Sequence, residues 1–287
     1  MSSPPIRRVT VLGSGMVGTS VALALRRAKI HVALSDQDRD SLAEALRMGA
    51  GVALTSDVPT ADAVVIATPP STVVSVLRDA QRRRLGTVYT DVASVKARIC
   101  ADARRVGCDL ATYVPGHPIA GRELSGPAAA RGALFAGRPW ALCPYPVTSP
   151  ELVRTVSDLV TVCGGVPAVL APDVHDRIVA TVSHAPHLVS AALAARFVGA
   201  DETLLSLVGR GARDTTRVAA GAPALWQDIL VQNAEPVAAV LEAVVRDLTA
   251  AVGALRGSHP AGSTALVDLF TRGNRGRERI VRAHPTG

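Results

Sequence analysis

A histidine in a segment rich in glycine and proline is the strongest candidate for chemistry in this sequence. His117 lies between Gly116 and Pro118, and Glu123 and Ser125 follow shortly after it. Glycine and proline favour turns and loops, so these polar side chains have no regular apolar face to join. An unperturbed histidine titrates at about pH 6.5 and can accept a proton from an alcohol. The pattern predicts a loop that carries a general base.

A glycine pattern near the start of the chain predicts a cofactor for that base. Gly13, Gly15 and Gly18 follow an apolar run and open a helical segment, and Asp36 ends the next apolar run. Glycines let backbone amides approach a pyrophosphate, and the helix N-terminus attracts its charge. Asp36 can accept hydrogen bonds from ribose hydroxyls and would repel a 2′-phosphate. The pattern therefore favours NAD, while Arg39 leaves NADP as the alternative.

Two further segments are predicted to line this cofactor. Met16 and Val17 lie in the first turn of the helix that follows the glycines. Thr68 and Pro69 end the most apolar predicted strand, at the edge of the sheet where the nicotinamide half would lie. A plain transition from strand to loop is the other interpretation of Thr68 and Pro69.

Polar residues also follow the next predicted strand, 87–91. Ser94 either caps a helix that begins near Val95 or hydrogen-bonds a substrate hydroxyl beside the nicotinamide. Asp91 is predicted to be structural, and Lys96 could attract a substrate carboxylate.

Two histidines in the C-terminal half share one face of a helix. His184 and His187 are separated by three positions, which places their side chains side by side. No third ligand stands at a metal-binding spacing, so no metal is predicted. Substrate contact or helix packing is the expected role.

Arginines further along the chain suit an anionic substrate. Arg213 and Arg217 precede Trp226, and a guanidinium can bind a carboxylate through two hydrogen bonds. The expected partner is a small dicarboxylate or amino-acid substrate. A solvated helix N-terminus, with Asp214 paired to a neighbour, is the alternative.

The elements that must position these residues change in character near Ala171 and Pro172. The predicted strands lie within 7–15 and at 30–35, 52–54, 63–67, 87–91, 139–143 and 166–170. The predicted helices lie at 16–28, 39–48, 71–83, from 95 onward, 149–163, 173–198, 203–208, 224–233 and 236–255. Strands that alternate with helices predict an α/β Rossmann domain, with a doubly wound parallel sheet, over 1–171. An all-α domain with a basic tail is predicted over 172–287, and its uncharged faces predict a homodimer.

Composition excludes several other classes of protein. The net charge of the 287 residues is +7, but only 3% are aromatic, so nucleic acid would find no stacking platform. The four cysteines show no metal spacing and are expected to be reduced. No signal peptide is recognised, and no apolar run approaches the ~18 residues that span a membrane. A cytoplasmic protein with no nucleic-acid or membrane partner is expected.

Taken together, these motifs resemble those of the prephenate/arogenate dehydrogenase family. The resemblance covers most of the chain and includes the segments 13–18, 90–96, 117–126, 183–187, 213–219 and 226–229. It implies a Rossmann domain, a helical dimerisation domain and an active site in the cleft between them. The implied reaction is the NAD-dependent oxidative decarboxylation of prephenate to 4-hydroxyphenylpyruvate in tyrosine biosynthesis.

The resemblance also implies roles for particular residues. His117 would be the catalytic histidine at the ring hydroxyl, assisted by Ser94, and Arg217 would bind a substrate carboxylate. His184, rather than His187, would contact the substrate side chain, and Glu123 would gate the site.

One departure from the family leaves the substrate open. Arg122 stands where many members carry threonine or a similar small residue. Arogenate and 4-amino-4-deoxyprephenate therefore stay as alternative substrates. From the length of the sequence, no C-terminal regulatory domain is expected. Outside the family, a different two-domain oxidoreductase would leave the 213–217 motif unexplained. A non-catalytic dinucleotide-sensing dimer would have no need of His117, Ser94 and Arg217.

Overall fold

The computed structural model describes residues 6–120, 124–257 and 260–283. Contacts between residues divide the chain into two compact units, Met1–Ala234 and Glu235–Gly287. This division and the predicted boundary between Ala171 and Pro172 lie at different positions, and that boundary stays a prediction.

A six-stranded parallel sheet forms the centre of the first unit. Its strands are β1 (Arg8–Leu12), β2 (His31–Ser35), β3 (Val52–Ala53), β4 (Ala61–Ile66), β5 (Gly86–Asp91) and β6 (Tyr113–Val114). They lie in the order β3-β2-β1-β4-β5-β6, with every pair parallel. This order is that of a doubly wound nucleotide-binding sheet, so the predicted fold class is confirmed.

Helices cover both faces of this sheet. They are α1 (Met16–Arg27), α2 (Arg39–Arg47), α3 (Val73–Arg82), α4 (Ala97–Arg105) and α5 (Pro150–Val162). Alternate residues of β4 enter different apolar clusters: Ala63 and Val65 join one, and Val64 and Ile66 the other. Because successive side chains of a strand point to opposite faces, a strand covered on both sides is apolar throughout. Such runs made these strands predictable.

A second, three-stranded sheet carries the candidate base. Its strands are β7 (Gly116–Pro118), β8 (Pro139–Leu142) and β9 (Val166–Val169), with β7 antiparallel to β8 and β8 parallel to β9. The prediction that His117 lies in a loop is wrong, because His117 pairs with Ala141 in this sheet. β7 is an edge strand, where proline is tolerated, and three residues are too few to show an alternating pattern.

The helical part of the first unit begins with one long helical segment, Pro172–Phe197. It consists of α6 (Pro172–Val179), a π turn (Ala180–His184), α7 (Ala185–Ala194) and a short 3-10 turn. Pro186 does not interrupt it, although the ring of a proline clashes with the carbonyl four residues earlier. That carbonyl belongs to Val182, within the π turn, where the wider backbone accommodates it.

Among the described residues, Pro172–Phe197 is the helix long and apolar enough to cross a membrane. The sequence expectation that no such segment exists is therefore wrong on length and composition. However, buried polar residues of this helix, His175, Asp176 and His184, hydrogen-bond to other elements of the first unit. These contacts join the helix to the rest of the first unit, where 33% of its apolar window is buried.

The first unit ends with three shorter helices. They are α8 (Glu202–Ser206), α9 (Arg210–Thr216) and α10 (Pro223–Gln232), and a 3-10 turn at Arg217–Ala220 separates the last two. Ser190 of α7 donates a hydrogen bond to the carbonyl of Thr215, at a distance of 2.8 Å, and so ties α9 to α7.

The second unit contains two long helices, α11 (Ala234–Arg256) and α12 (Pro260–Ala283). No helix is predicted beyond residue 255, and α12 shows that the basic tail is helical as well. Arg272 of α12 bridges Asp268, four residues earlier, and Asp247 of α11. Pairs of opposite charge four residues apart support a helix that has few aromatic or strongly apolar residues. In a sequence, such pairs indicate a helix less strongly than apolar periodicity does.

Candidate active site

The turn between β1 and α1 has the geometry of a dinucleotide cradle. Gly13 adopts a φ of +106°, and a Cβ there would lie 2.4 Å from the carbonyl oxygen of Ala67. A Cβ on Gly18 would lie 2.0 Å from the carbonyl oxygen of Gly13, so only glycine fits either position. Gly15 instead borders open space, and no side chain caps α1. The amides of the first turn, including Met16, can therefore receive a pyrophosphate.

The carboxylate of Asp36 is held at the end of β2. Its Oδ2 accepts hydrogen bonds from the backbone nitrogen and the Oγ of Ser14, at 2.5 and 2.8 Å. Its Oδ1 accepts one from the backbone nitrogen of Asp38 at 2.8 Å. Asp36 stays half-buried, so its outer face is open to ribose hydroxyls.

The loop after β4 is fixed by a helix from the other half of the unit. The backbone nitrogen of Ser71 donates to Asp228 of α10 at 2.9 Å. In the same loop, Pro69 is exposed, and the Oγ1 of Thr68 is buried without a hydrogen-bond partner among the described residues. A buried hydroxyl without a partner fits a group that receives its hydrogen bond from a bound molecule.

His117 belongs to a buried chain of hydrogen bonds. Its Nδ1 lies 2.8 Å from the Nε2 of His175, and the Nδ1 of His175 lies 2.8 Å from the Oδ1 of Asp176. The His117 and His175 rings meet edge to face, with centroids 5.1 Å apart. His175 and Asp176 are fully buried, so both depend on each other for polar contacts.

Asp176 also caps helix α4. Its two carboxylate oxygens accept hydrogen bonds from the backbone nitrogens of Lys96 and Ala97, at 2.8 and 2.9 Å. The alternative in which Ser94 caps a helix from Val95 is therefore wrong: the helix begins at Ala97, and a carboxylate distant in sequence supplies its cap. In the described part of the chain, the half-buried Ser94 hydroxyl has no hydrogen-bond partner.

A buried ion pair supports the strand that carries His117. Lys96 and Asp91 are fully buried and pair through Nζ and Oδ1. The Oδ2 of Asp91 accepts hydrogen bonds from the hydroxyl of Tyr113 at 2.6 Å and from the backbone nitrogen of Gly116 at 3.3 Å. Asp91 is therefore structural, as expected. The expectation that Lys96 attracts a substrate carboxylate is wrong, because its ammonium is enclosed with Asp91.

His184 and His187 have different surroundings. The Nδ1 of the buried His184 lies 3.0 Å from the Nδ2 of Asn233, which also donates to the carbonyl of Asp176 at 2.9 Å. The Nε2 of His184 is buried with no partner among the residues described. His187 stacks on Trp226 with ring centroids 3.5 Å apart. His184 thus keeps a buried ring nitrogen without a partner among the described residues, while His187 packs against an aromatic ring.

Burial keeps these histidines neutral near pH 7. Desolvation holds the pKa of His117 well below its usual value, and the nearby His175, Lys96 and His184 lower it further. Desolvation also lowers the pKa of His184 to about 4, although Asp176 opposes that shift. The pKa of His187 is lowered mainly by burial. A neutral His117 can accept a proton, and a neutral His184 can donate one hydrogen bond.

The remaining predicted site residues lie in three places. Arg217 is exposed at the start of the Arg217–Ala220 turn, which follows α9. Arg213 is exposed on α9 and lines a groove with Phe197 and Leu205, which contains no other predicted site residue. Glu123, like Arg122, lies outside the described residues.

Three residues that hydrogen-bond to His117, to His184 or to each other were not predicted from the sequence: His175, Asp176 and Asn233. One signal for them exists in the sequence, because His175 and Asp176 stand side by side near the start of Pro172–Phe197, a helical segment that is apolar overall. Charged and polar residues in such a position are buried only when they are paired.

Two family models match this chain. The nucleotide-binding domain of prephenate dehydrogenase matches residues 21–169, and the dimerization domain of prephenate dehydrogenase matches residues 171–267. A probable prephenate dehydrogenase of Streptomyces niveus, NovF, is 38% identical over 283 residues, which cover 96% of this chain and 78% of the relative.

Solved structures are similar over nearly the whole chain. One is prephenate dehydrogenase of A. aeolicus in complex with hydroxyphenyl propionate and NAD+, with a TM-score of 0.84 at 27% identity. The match covers 97% of this chain and 100% of that structure's chain. Arogenate dehydrogenase of Synechocystis has a TM-score of 0.75 at 26% identity, and the match covers 96% of this chain and 100% of that structure's chain. The suspected resemblance is thus confirmed, and the chain belongs to the prephenate dehydrogenase family.

Proposed function

We propose that this protein oxidises prephenate to 4-hydroxyphenylpyruvate and carbon dioxide, with NAD as the hydride acceptor, in tyrosine biosynthesis. The observation that carries the proposal is His117, a neutral histidine held by buried partners beyond the carboxyl end of the nucleotide-binding sheet. The similarity to prephenate dehydrogenases supports the substrate.

The first domain holds the cofactor. Gly13, Gly15 and Gly18 allow the pyrophosphate to approach the amides of Met16 and Val17, and Asp36 accepts from the adenosine ribose. Thr68 and Pro69 would line the nicotinamide half. NAD is preferred over NADP because the carboxylate of Asp36 would repel a 2′-phosphate.

Proton removal is the task of the protein in the reaction. NAD, held at the glycine turn after β1, would supply the acceptor for the hydride of the ring carbon that bears the hydroxyl. His117 takes the hydroxyl proton as the carbonyl forms, so that no unstable cation builds up on the oxygen. The bond to the ring carboxylate breaks, its electrons enter the ring, and carbon dioxide leaves. His117 gains one proton in this step and releases it to solvent afterwards.

Other residues orient the substrate. Ser94, whose hydroxyl lacks a protein partner among the described residues, hydrogen-bonds the substrate hydroxyl. His184 donates from its free Nε2 to the substrate side chain. Arg217 binds a carboxylate, with Arg213 adding positive charge, and Glu123 gates the site. Stacking on Trp226 keeps His187 at the wall of the site.

A direct assay of NADH formation tests the proposed function. Prephenate, arogenate and 4-amino-4-deoxyprephenate are compared at equal enzyme concentration, and prephenate is expected to give the highest kcat/KM. Preferred oxidation of arogenate or of the amino compound would reject prephenate but keep the type of reaction. Oxidation of none of the three would reject the proposed function.

Arg217→Ala should raise the apparent KM for the substrate by about 10- to 100-fold, because a charged hydrogen bond to a carboxylate contributes about 1.5–3 kcal/mol. Steady-state kinetics measure the change. Arg210→Ala, an exposed arginine at the start of α9, is the matched control and should leave KM unchanged. An unchanged KM in Arg217→Ala would reject its role.

A homodimer through the helical part is the proposed assembly. The second unit exposes apolar side chains along α11, including Val245, Leu248, Val252 and Leu255. Large exposed apolar surfaces of this kind are typical of subunit interfaces. The match of residues 171–267 to a dimerization domain supports the same proposal.

A further inference from the structure

The two ring nitrogens of His117 have different roles, and only one of them can serve as the base. Nδ1 lies 2.8 Å from His175 and is therefore occupied by that hydrogen bond. Nε2 is the nitrogen left to meet a substrate. It can accept a proton only if the single proton of the neutral ring resides on Nδ1, so the tautomer of His117 decides whether it can act.

Asp176 determines where the protons of this chain reside. An ionised carboxylate only accepts hydrogen bonds, and this one already accepts from the backbone nitrogens of Lys96 and Ala97. The positive end of helix α4 stabilises its negative charge. The third partner of Asp176, the Nδ1 of His175, must therefore donate to it across 2.8 Å.

The direction of the remaining hydrogen bond follows. A neutral His175 that carries its proton on Nδ1 has an unprotonated Nε2, which accepts. His117 must then donate from its Nδ1, and its Nε2 keeps a free lone pair. We propose that His175 and Asp176 are positioning residues that hold His117 in the tautomer whose Nε2 accepts the substrate proton. The catalytic consequence of this tautomer rests on the proposed function. The tautomer itself does not depend on that function.

The same chain compensates the charge that the reaction creates. When the substrate O–H bond breaks, a new N–H bond forms at the Nε2 of His117, and the ring becomes an imidazolium. Its Nδ1 proton points at His175, which in turn binds the carboxylate of Asp176. The other titratable groups around His117 are Lys96, which is paired with Asp91, and His184, which is bound to Asn233. Asp176 is therefore the negative charge connected to the new imidazolium.

The tautomer can be measured without any substrate. The intact protein is labelled with 15N-histidine, and ring signals are recorded with and without NAD. Among the seven histidines, the His117 signal is identified by its absence from His117→Asn. We expect a protonated Nδ1 and an unprotonated Nε2 at pH 7. A protonated Nε2 would overturn the inference, even in an enzyme that oxidises prephenate, whereas the expected tautomer would support it even if all three candidate substrates failed.

Two substitutions of equal length then separate positioning from packing. In His175→Gln, the side-chain oxygen can accept from the Nδ1 of His117 while the amide NH₂ donates to Asp176. In His175→Met, no acceptor is left. We expect kcat to fall by about 100-fold in His175→Met and by less than about tenfold in His175→Gln, because a general base contributes about 10²- to 10⁴-fold. KM and the Kd of NAD should stay unchanged in both.

Thermal unfolding and 15N spectra accompany the kinetics of this pair. A merely structural role for His175 would lower kcat equally in both variants, or would lower Tm without the difference in kcat, and either result would overturn the inference. Full activity in His175→Met would do the same. If neither variant folds, the tautomer observed in the wild-type protein decides the question.

Discussion

His117→Asn should lower kcat by about 100-fold or more while the affinity for NAD stays unchanged. The substituted side chain keeps an NH₂ group that can donate to His175, so the buried chain of hydrogen bonds keeps its donor at this position. It has no basic nitrogen at the position of Nε2, so the hydroxyl proton has no acceptor. The glycine turn after β1 lies outside this chain and keeps its geometry.

The pH dependence of the wild type provides a second measurement of the same role. Because the pKa of His117 lies well below its usual value of 6.5, kcat/KM should hold at pH 6.5 and fall only as pH falls through that lower pKa. This acid limb should be absent from the residual activity of His117→Asn. His31→Asn, at an exposed position on β2, is the control and should behave as the wild type. Near-normal turnover in His117→Asn would reject the catalytic assignment.

Lys96→Met should lower the free energy of unfolding by about 3–5 kcal/mol, which is the largest effect on stability that we expect from a single substitution. The side chains of Lys96 and Asp91 are both fully buried, so removal of the ammonium leaves an uncompensated carboxylate in the core. Denaturation by urea, followed by circular dichroism, measures the change.

An exposed ion pair offers a matched control for that substitution. Arg98 pairs with Asp102 at 2.8 Å, but the Arg98 side chain is 62% exposed. Arg98→Met should therefore change the stability by no more than about 1 kcal/mol. Equal losses in the two variants would mean that the buried pair contributes no more than a surface pair.

Much of the fold could be predicted because its signals are local. Strands such as β2 and β4 are mostly apolar runs, and the glycines at 13, 15 and 18 stand at fixed spacing before a helix. Gly13 and Gly18 are required there by contacts that no other residue tolerates. Elements with such strong local patterns are the ones that a single sequence indicates best.

The network behind His117 could not be predicted because its contacts are distant in sequence. Asp176 caps a helix that begins 79 positions before it in the chain, and His117 reaches His175 across 58 positions. Neither contact produces a periodic pattern of apolar residues in the sequence. Likewise, the strand Gly116–Pro118 is defined by its partner β8 and not by its own three residues. The sequence indicates His117 as the candidate base, whereas its contact with His175 and Asp176 is seen only in the folded chain.

The cap that Asp176 supplies to α4 has a consequence for motion. Lys96 and Ala97 belong to the nucleotide-binding half, whereas Asp176 and His175 belong to the helix that follows Pro172. A hinge opening between these halves would remove the carboxylate from the helix end and disconnect His175 from His117 in the same movement. The orientation of His117 therefore depends on these two halves staying in contact.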